Sequence, residues 1–220
     1  KRPLAKEKLM LIGLVTTALQ GGGMIWGFSA FADVLVSLPG SPYDSNNVSS
    51  IFTIGNNLNA WGCIFSGLIL DAYGPRVCAV TGLLMEAGAH VLLAKATTYP
   101  AWITYGAFGL LGIGGSQVLI AALAFVDAFK SPNFMSSILT AAFQAGAVVF
   151  MVLPFVDWRG FFYFYAVFCI VSAVLCGIYP DTPLPAYSQD ESCGSSGSFP
   201  LLRQLSPSAR LAVIARDEDM

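Results

Sequence analysis

Gly67-Leu-Ile-Leu-Asp71-Ala-Tyr-Gly74-Pro75-Arg76 is a small charged island between two apolar runs, and its reading decides the fold. The whole run from Ser45 to Leu70 carries no Asp, Glu, Lys, Arg or His. Beyond Arg76, the run from Val77 to Ala94 is interrupted only by Glu86 and His90. Gly-Pro is a tight-turn pair, because glycine tolerates positive φ and proline fixes its own. The segment therefore predicts two apolar helices joined by a turn, with Gly67 letting them approach closely.

The same spacing recurs along the chain. Charge-free stretches run from Leu9 to Ala32, Ala96 to Val126, Ser131 to Val156 and Gly160 to Pro180. About 20 apolar residues at 1.5 Å each cross roughly 30 Å of hydrocarbon. Five stretches reach that length, and the shorter Val77–Ala94 stretch makes a sixth span. Among 220 residues 55% are hydrophobic and 11% are charged, with a mean hydropathy of +0.68. A soluble domain carries about a quarter charged residues, and a soluble core of consecutive helices with no polar face is not a workable packing. The expected fold is an all-α polytopic membrane protein with six transmembrane helices spanning residues 9–180. Residues 1–8 form a cytoplasmic tail, and the Gly/Ser-rich, polar stretch 181–220 reads as a cytoplasmic linker.

Charge placement orients the bundle. With six spans, Lys1, Arg2, Lys6, Lys8, Arg76, Lys130, Arg203, Arg210 and Arg216 share one side, and only Lys95 and Arg159 lie on the other. Nine against two puts both ends in the cytoplasm by the positive-inside rule. Asn47-Val-Ser49 is then a glycosylation triplet in the first exterior loop.

Several function classes are excluded. Eleven basic residues balance thirteen acidic ones, which argues against a nucleic-acid partner. The one histidine, His90, rules out a His-rich metal site, and no CxxC pair is present. Gly115-Ser116 lacks the flanking pattern of a serine nucleophile, and Gly112-Ile-Gly-Gly-Ser lacks the lysine of a phosphate loop. Its plain reading is a small-residue surface for close helix packing. No enzyme activity, cofactor or metal is expected.

The polar residues inside the spans suggest a binding site. Gln20, Asn59, Gln117 and Gln144 each lie close to a span centre. Gly22 and Gly23 beside Gln20, and Gly114-Gly115-Ser116 beside Gln117, can loosen a helix and free backbone groups for a ligand. Amides rather than charges suit a neutral or zwitterionic solute. The alternative is that each amide simply bonds a neighbouring helix. Glu86 and His90, one helical turn apart on one face, are a candidate proton-coupling pair or a bundle-stabilising one.

The turn segment resembles the G-x-x-x-D-x-x-G-R-[RK] loop of the major facilitator superfamily, displaced by Pro75. Phe52-Thr-Ile-Gly55, Asp71-x-Tyr-Gly-Pro-Arg76, Gly109-x-x-Gly112-x-Gly114-Gly115 and Met135-Ser-Ser-Ile-Leu-Thr-Ala extend the likeness. Together they are similar to the large neutral amino-acid transporters of solute carrier family 43. A Trp26-Gly27 pair stands near the Gly-Trp pair that such proteins carry in span one, in reversed order. The Gly-Pro-Arg loop also occurs in monocarboxylate carriers.

The resemblance implies the N-terminal half of a 3+3 inverted-repeat carrier that moves an amino acid by alternating access. It makes Gly67, Asp71, Gly74 and Arg76 a conformational latch, turns helices one, two, four and five toward a central cavity, and leaves helix three peripheral. The expected partners are the solute, the lipid bilayer, and a missing C-terminal half or a second copy. A rival class is a non-transporting membrane scaffold that keeps the half-fold.

Overall fold

A computed structural model describes residues 13, 20–23, 25, 27–37, 42–126, 129 and 131–178. These all belong to one unit, Lys1–Asp181. The tail at 1–8, Trp26, Lys130 and the linker at 181–220 lie outside the described residues.

The described residues are helical throughout, apart from turns. Helix α1 is Phe28–Ser37, α2 is Ser45–Leu93, α3 is Ala101–Leu123, α4 is Pro132–Phe150 and α5 is Trp158–Ile178, with a 3-10 turn at Leu153–Phe155 before α5. Residues 20–23 and 25 are also helical. Four helical stretches are long and apolar enough to cross a membrane: Asn46–Leu93, Ala101–Leu123, Pro132–Phe155 and Trp158–Ile178.

The first stretch is broken. Gly74 has φ 82° and ψ 171°, with Pro75 inside the helix. No other described residue has positive φ. An L side chain would be strained there, and Pro75 cannot donate the helical hydrogen bond. Helix α2 is therefore two arms, 45–73 and 75–93. They fold back on each other: Cys78 Sγ of the second arm lies 3.6 Å from the Ser66 carbonyl of the first, and Cys78 packs with Ile69 and Leu70.

The ends of the elements have local causes. Asp44 caps α2 by accepting from the Asn47 N–H at 2.7 Å. Pro132 starts α4 at a position where no N–H is needed. Asp157 accepts from the Gly160 N–H at 3.0 Å at the head of α5. Tyr43 ties the connections at this end together, bonding the Ala96 carbonyl at 3.0 Å and Thr104 Oγ1 at 2.7 Å. Burial raises its phenol pKa above the ordinary value. Helix α1 continues through Asp33, past the charge-free stretch that predicts it, because a charged residue is tolerated near a membrane boundary.

Helix α3 is the packing centre, and glycine is the reason. A methyl at Gly112 would collide with the Gly55 carbonyl of the first α2 arm, and one at Gly114 would lie 2.8 Å from the Gly82 carbonyl of the second. A methyl at Gly115 would collide with the Gly21 carbonyl. Three helices thus reach the backbone of α3 within one turn, the close approach that small residues permit in membranes. At one end, Phe28 and Phe31 of α1 fill the space against Phe108 of α3, and Phe31 meets Phe162 edge-on at 5.0 Å.

Candidate functional site

The candidate site residues read from the sequence all fall among the described residues. Gln20 is 2% exposed, and its Nε2 donates to Ser172 Oγ of α5 at 2.8 Å. Asn59, half-buried on the first α2 arm, donates from Nδ2 to the Gly112 carbonyl at 3.1 Å. Gln117 is buried, and its Oε1 accepts from Thr81 Oγ1 on the second arm at 3.0 Å. Gln144 is exposed on α4. Three of the four central amides therefore reach across to another helix, each to a different one, and the fourth faces outward.

The glycine clusters do not loosen their helices as the sequence suggests. Helix α3 is unbroken through Gly114-Gly115-Ser116. Gly22 lies under the backbone and ring of Phe143, and Gly23 under the Phe150 ring. Close packing consumes the freedom that glycine gives, and the backbone groups stay in helical bonds.

The turn segment places Asp71 exposed and Arg76 half-buried on either side of the Gly74 break. The close approach expected at Gly67 is not made among the described residues, since a methyl there would meet nothing within 4 Å. Gly67 follows Ser66, which bonds Ser116 of α3 at 3.3 Å, but it lies on another side of the arm. Asn47 needs a second correction. It stands in the first turn of α2 rather than in a loop, its N–H held by Asp44 and its carbonyl accepting from Tyr105 Oη at 3.3 Å. A glycosylation acceptor is expected in a surface loop, and here the triplet is helical.

Glu86 and His90 are each 1% exposed, although the resemblance puts span three at the periphery. Their side chains do not bond to each other. His90 Nδ1 donates to the Glu86 backbone carbonyl at 2.7 Å, and its ring packs against Tyr165, Phe162 and Phe150. Cys169 Sγ lies 3.8 Å from Glu86 Oε2. The small residues of α3 let Glu86 turn inward, since Gly114 sits against its Cγ.

Sequence reasoning misses two groups of residues. Asn56 and Asn57 are exposed on the first α2 arm, within a turn of Asn59, and their side chains make no hydrogen bond among the described residues. They are visible as amides in an apolar run, but a midpoint rule selects only their neighbour. Cys169 and Ser172 on α5 are the second group, and their only signal is two small polar residues on one helical face.

The exposed polar residues form stripes. On the first α2 arm, Ser49, Thr53, Asn56 and Asn57 are exposed, and on α4 so are Asn133, Ser137, Thr140 and Gln144. The hydroxyls of Thr53, Ser137 and Thr140 donate to carbonyls one turn back, but the side-chain amides of Asn56, Asn57 and Gln144 make no such bond among the described residues. Asn57 lies about 16 Å along its arm from Asn46, and Gln144 about 18 Å from the start of α4, at 1.5 Å per residue. Both depths are close to the middle of a hydrocarbon core about 30 Å thick. An unpaired amide facing lipid at that depth costs about 2–7 kcal/mol. These stripes are suited to water or to another polypeptide, not to hydrocarbon.

Four helices long and apolar enough to cross a membrane, packed through glycine contacts, are those of a multi-pass membrane protein. A transporter-like character comes from two distant relatives, the first of them named for efflux. The chain is 29% identical to the "Agnestins efflux protein AgnL12" of Paecilomyces divaricatus, over 66% of this chain and 34% of that protein. It is 26% identical to "Protein FMP42" of Saccharomyces cerevisiae, over 64% of this chain and 32% of that protein. The chain spans about a third of the length of these curated relatives. No family model matches it.

Proposed function

We propose that the chain is the amino-terminal half of a major-facilitator-type secondary carrier for a small neutral or zwitterionic organic solute such as an amino acid. In this reading six helices cross the membrane: one containing residues 20–37, the two arms of α2, and α3, α4 and α5. Both ends are cytoplasmic, and a C-terminal half or a second copy completes the carrier. The observation that carries the reading is the pair of polar stripes, with Asn56, Asn57 and Gln144 exposed at mid-depth on helices that are otherwise apolar. Such faces fit an aqueous path between two halves.

Solute contact is assigned to Gln144 and Asn57, with Asn59 at the edge of the same face. Gln20, Gly22, Gly23 and Gln117 are assigned to the framework behind it, because each is buried against another helix. Gly67, Asp71, Gly74 and Arg76 form the cytoplasmic latch, in which the fixed turn at Gly74 lets the charged pair bias inward- against outward-facing states. Glu86 and His90 remain candidates for ion coupling. The similarity to a protein named for efflux favours a second reading, in which another organic solute is moved outward.

Flux through the full-length protein in liposomes tests both. Saturable counterflow of a neutral amino acid supports the first reading, and saturable export of an organic acid without amino-acid counterflow supports the second. No saturable flux of either, in folded protein, overturns the carrier reading in favour of a scaffold. Asp71→Asn and Arg76→Ala are expected to lower the rate with surface expression unchanged. Wild-type rates in both would reduce the segment to a turn.

A further inference from the structure

Three buried side-chain atoms among the described residues have no hydrogen-bond partner: Gln20 Oε1, Glu86 Oε1 and His90 Nε2. They belong to one neighbourhood. Glu86 is touched by Cys169 and Gln20 is held by Ser172, and these two partners share one face of α5. Gly115 bridges them from the other side: a methyl there would lie 3.5 Å from Glu86 Oε1 and would also collide with the Gly21 carbonyl, next to Gln20. His90 is one turn further along the second α2 arm.

The chemistry of the three orphans is the same. Gln20 uses its amide nitrogen on Ser172, so its free atom is the carbonyl oxygen. His90 must carry its proton on Nδ1, because the Glu86 carbonyl can only accept, and Nε2 is then an acceptor too. Glu86 Oε1 is a carboxylate oxygen. All three are acceptors with nothing to accept from, and no lysine or arginine among the described residues pairs with Glu86. The groups facing Glu86 are Cys169 and Tyr165 from α5, His90 from its own helix, and the glycines of α3. A carboxylate buried among apolar helices without a cation is strongly disfavoured. Water could satisfy the lone pairs but would leave the charge uncompensated.

The geometry points to a small-cation site between Gln20 and Glu86, completed by Ser172, that binds Na+ or a proton at the junction of the residue 20–23 segment, the second α2 arm, α3 and α5. The site rests on the carrier reading only for its purpose as an ion-coupling site; its existence is independent of transport. It lies behind the proposed solute path. Its elements pack through Gly21, Gly114 and Gly115, so occupation would tighten the contact on which the bundle depends.

Thermal unfolding of the full-length protein in detergent tests the site without a transport assay. At constant ionic strength, Tm is followed in NaCl against choline chloride, and from about pH 8.5 to 5.5. A ligand that binds only the folded state raises Tm with its concentration. If Na+ is the occupant, NaCl raises Tm at the alkaline end and choline does not. If the proton is, acidification raises Tm and Na+ adds nothing.

Glu86→Gln, which keeps shape and removes charge, is expected to abolish either response while leaving the alkaline choline Tm at or above wild type. Ser172→Ala, which releases Gln20, is expected to raise the half-saturating cation concentration about tenfold, or move the midpoint pH down by about one unit, for a loss near about 1.4 kcal/mol. A Tm that ignores both Na+ and pH overturns the site, as does a wild-type response that persists in Glu86→Gln. Cation-linked stability in a protein without flux would keep the site and discard the carrier reading, and flux without cation-linked stability would do the reverse.

Discussion

The outward faces of α5 and of the first α2 arm have opposite chemistry at the same depth. On α5, past the exposed Arg159 and Gly160 in its first turn, the exposed residues are Tyr163, Phe164, Val167, Ile170, Val171, Val174, Leu175 and Ile178, apolar except for the Tyr163 phenol. On the first α2 arm the exposed residues are mostly polar at first, Asn46, Ser49, Ser50, Thr53, Asn56 and Asn57 with Ile54 among them, and become apolar from Trp61 through Ile64, Phe65 and Leu68. Both helices bury their other face in the same bundle. A helix whose outer face is apolar beyond its first turns is at home in hydrocarbon, whereas two unpaired amides at mid-depth need water or a polar partner. In the proposed carrier, this contrast separates the sides of the bundle that meet lipid from those that do not. On the same reading α4 joins the non-lipid side over Asn133, Ser137, Thr140 and Gln144, while Phe134, Val148 and Val149 are apolar and exposed nearer its ends.

Arginine insertion breaks or confirms this contrast with the largest expected effect. Val167 is 60% exposed, and at about 14 Å along α5 it stands near the helix centre. Arg at such a position costs about 2.5–3.5 kcal/mol against lipid. Val167→Arg is therefore expected to lower the yield of folded, membrane-inserted protein by roughly tenfold or more. Asn57→Arg, facing water, is expected to leave the yield near wild type. Equal losses at both positions would mean that both faces touch lipid.

Smaller effects sharpen the contrast between outward and inward amides. Gln144→Ala or Asn57→Ala should raise the half-saturating solute concentration about five- to hundredfold, the equivalent of leaving a bound polar group unsatisfied for about 1–3 kcal/mol. Folded yield should not change, because neither amide bonds the bundle. Gln117→Ala should do the opposite, lowering stability by about 1 kcal/mol through the lost contact with Thr81, whose hydroxyl keeps the Val77 carbonyl, and leaving half-saturation alone. An affinity loss at Gln117 comparable to that at Gln144 would put solute behind the helices.

The sequence makes the helices legible but not their rotation. The break at Gly74-Pro75 is readable because glycine and proline act locally, and the long apolar helices are readable because charges thin out along them. Gln20, Gln117 and Gln144 share a depth, and depth alone groups them. Two turn inward and one turns outward, a difference set by which neighbour each helix meets. In a soluble helix, polar periodicity reveals the buried face; here α3 and α5 are apolar on nearly every side, so that signal is missing. The burial of Glu86 is hidden for the same reason. Its inward turn depends on Gly114 and Gly115 of a different helix, and the glycines of α3 do not by themselves say what lies against them.

Thiol accessibility in intact membranes tests the central claim most directly. With the native cysteines replaced by alanine, single cysteines at positions 57, 144, 167 and 171 are treated with a charged, membrane-impermeant thiol reagent. The reagent needs an ionised thiol in contact with water, so lipid-facing cysteines do not react. The account predicts modification at 57 and 144, protection of both by transported solute, and no reaction at 167 and 171. Equal reactivity at all four positions, or reaction at 167 and 171 alone, would contradict it.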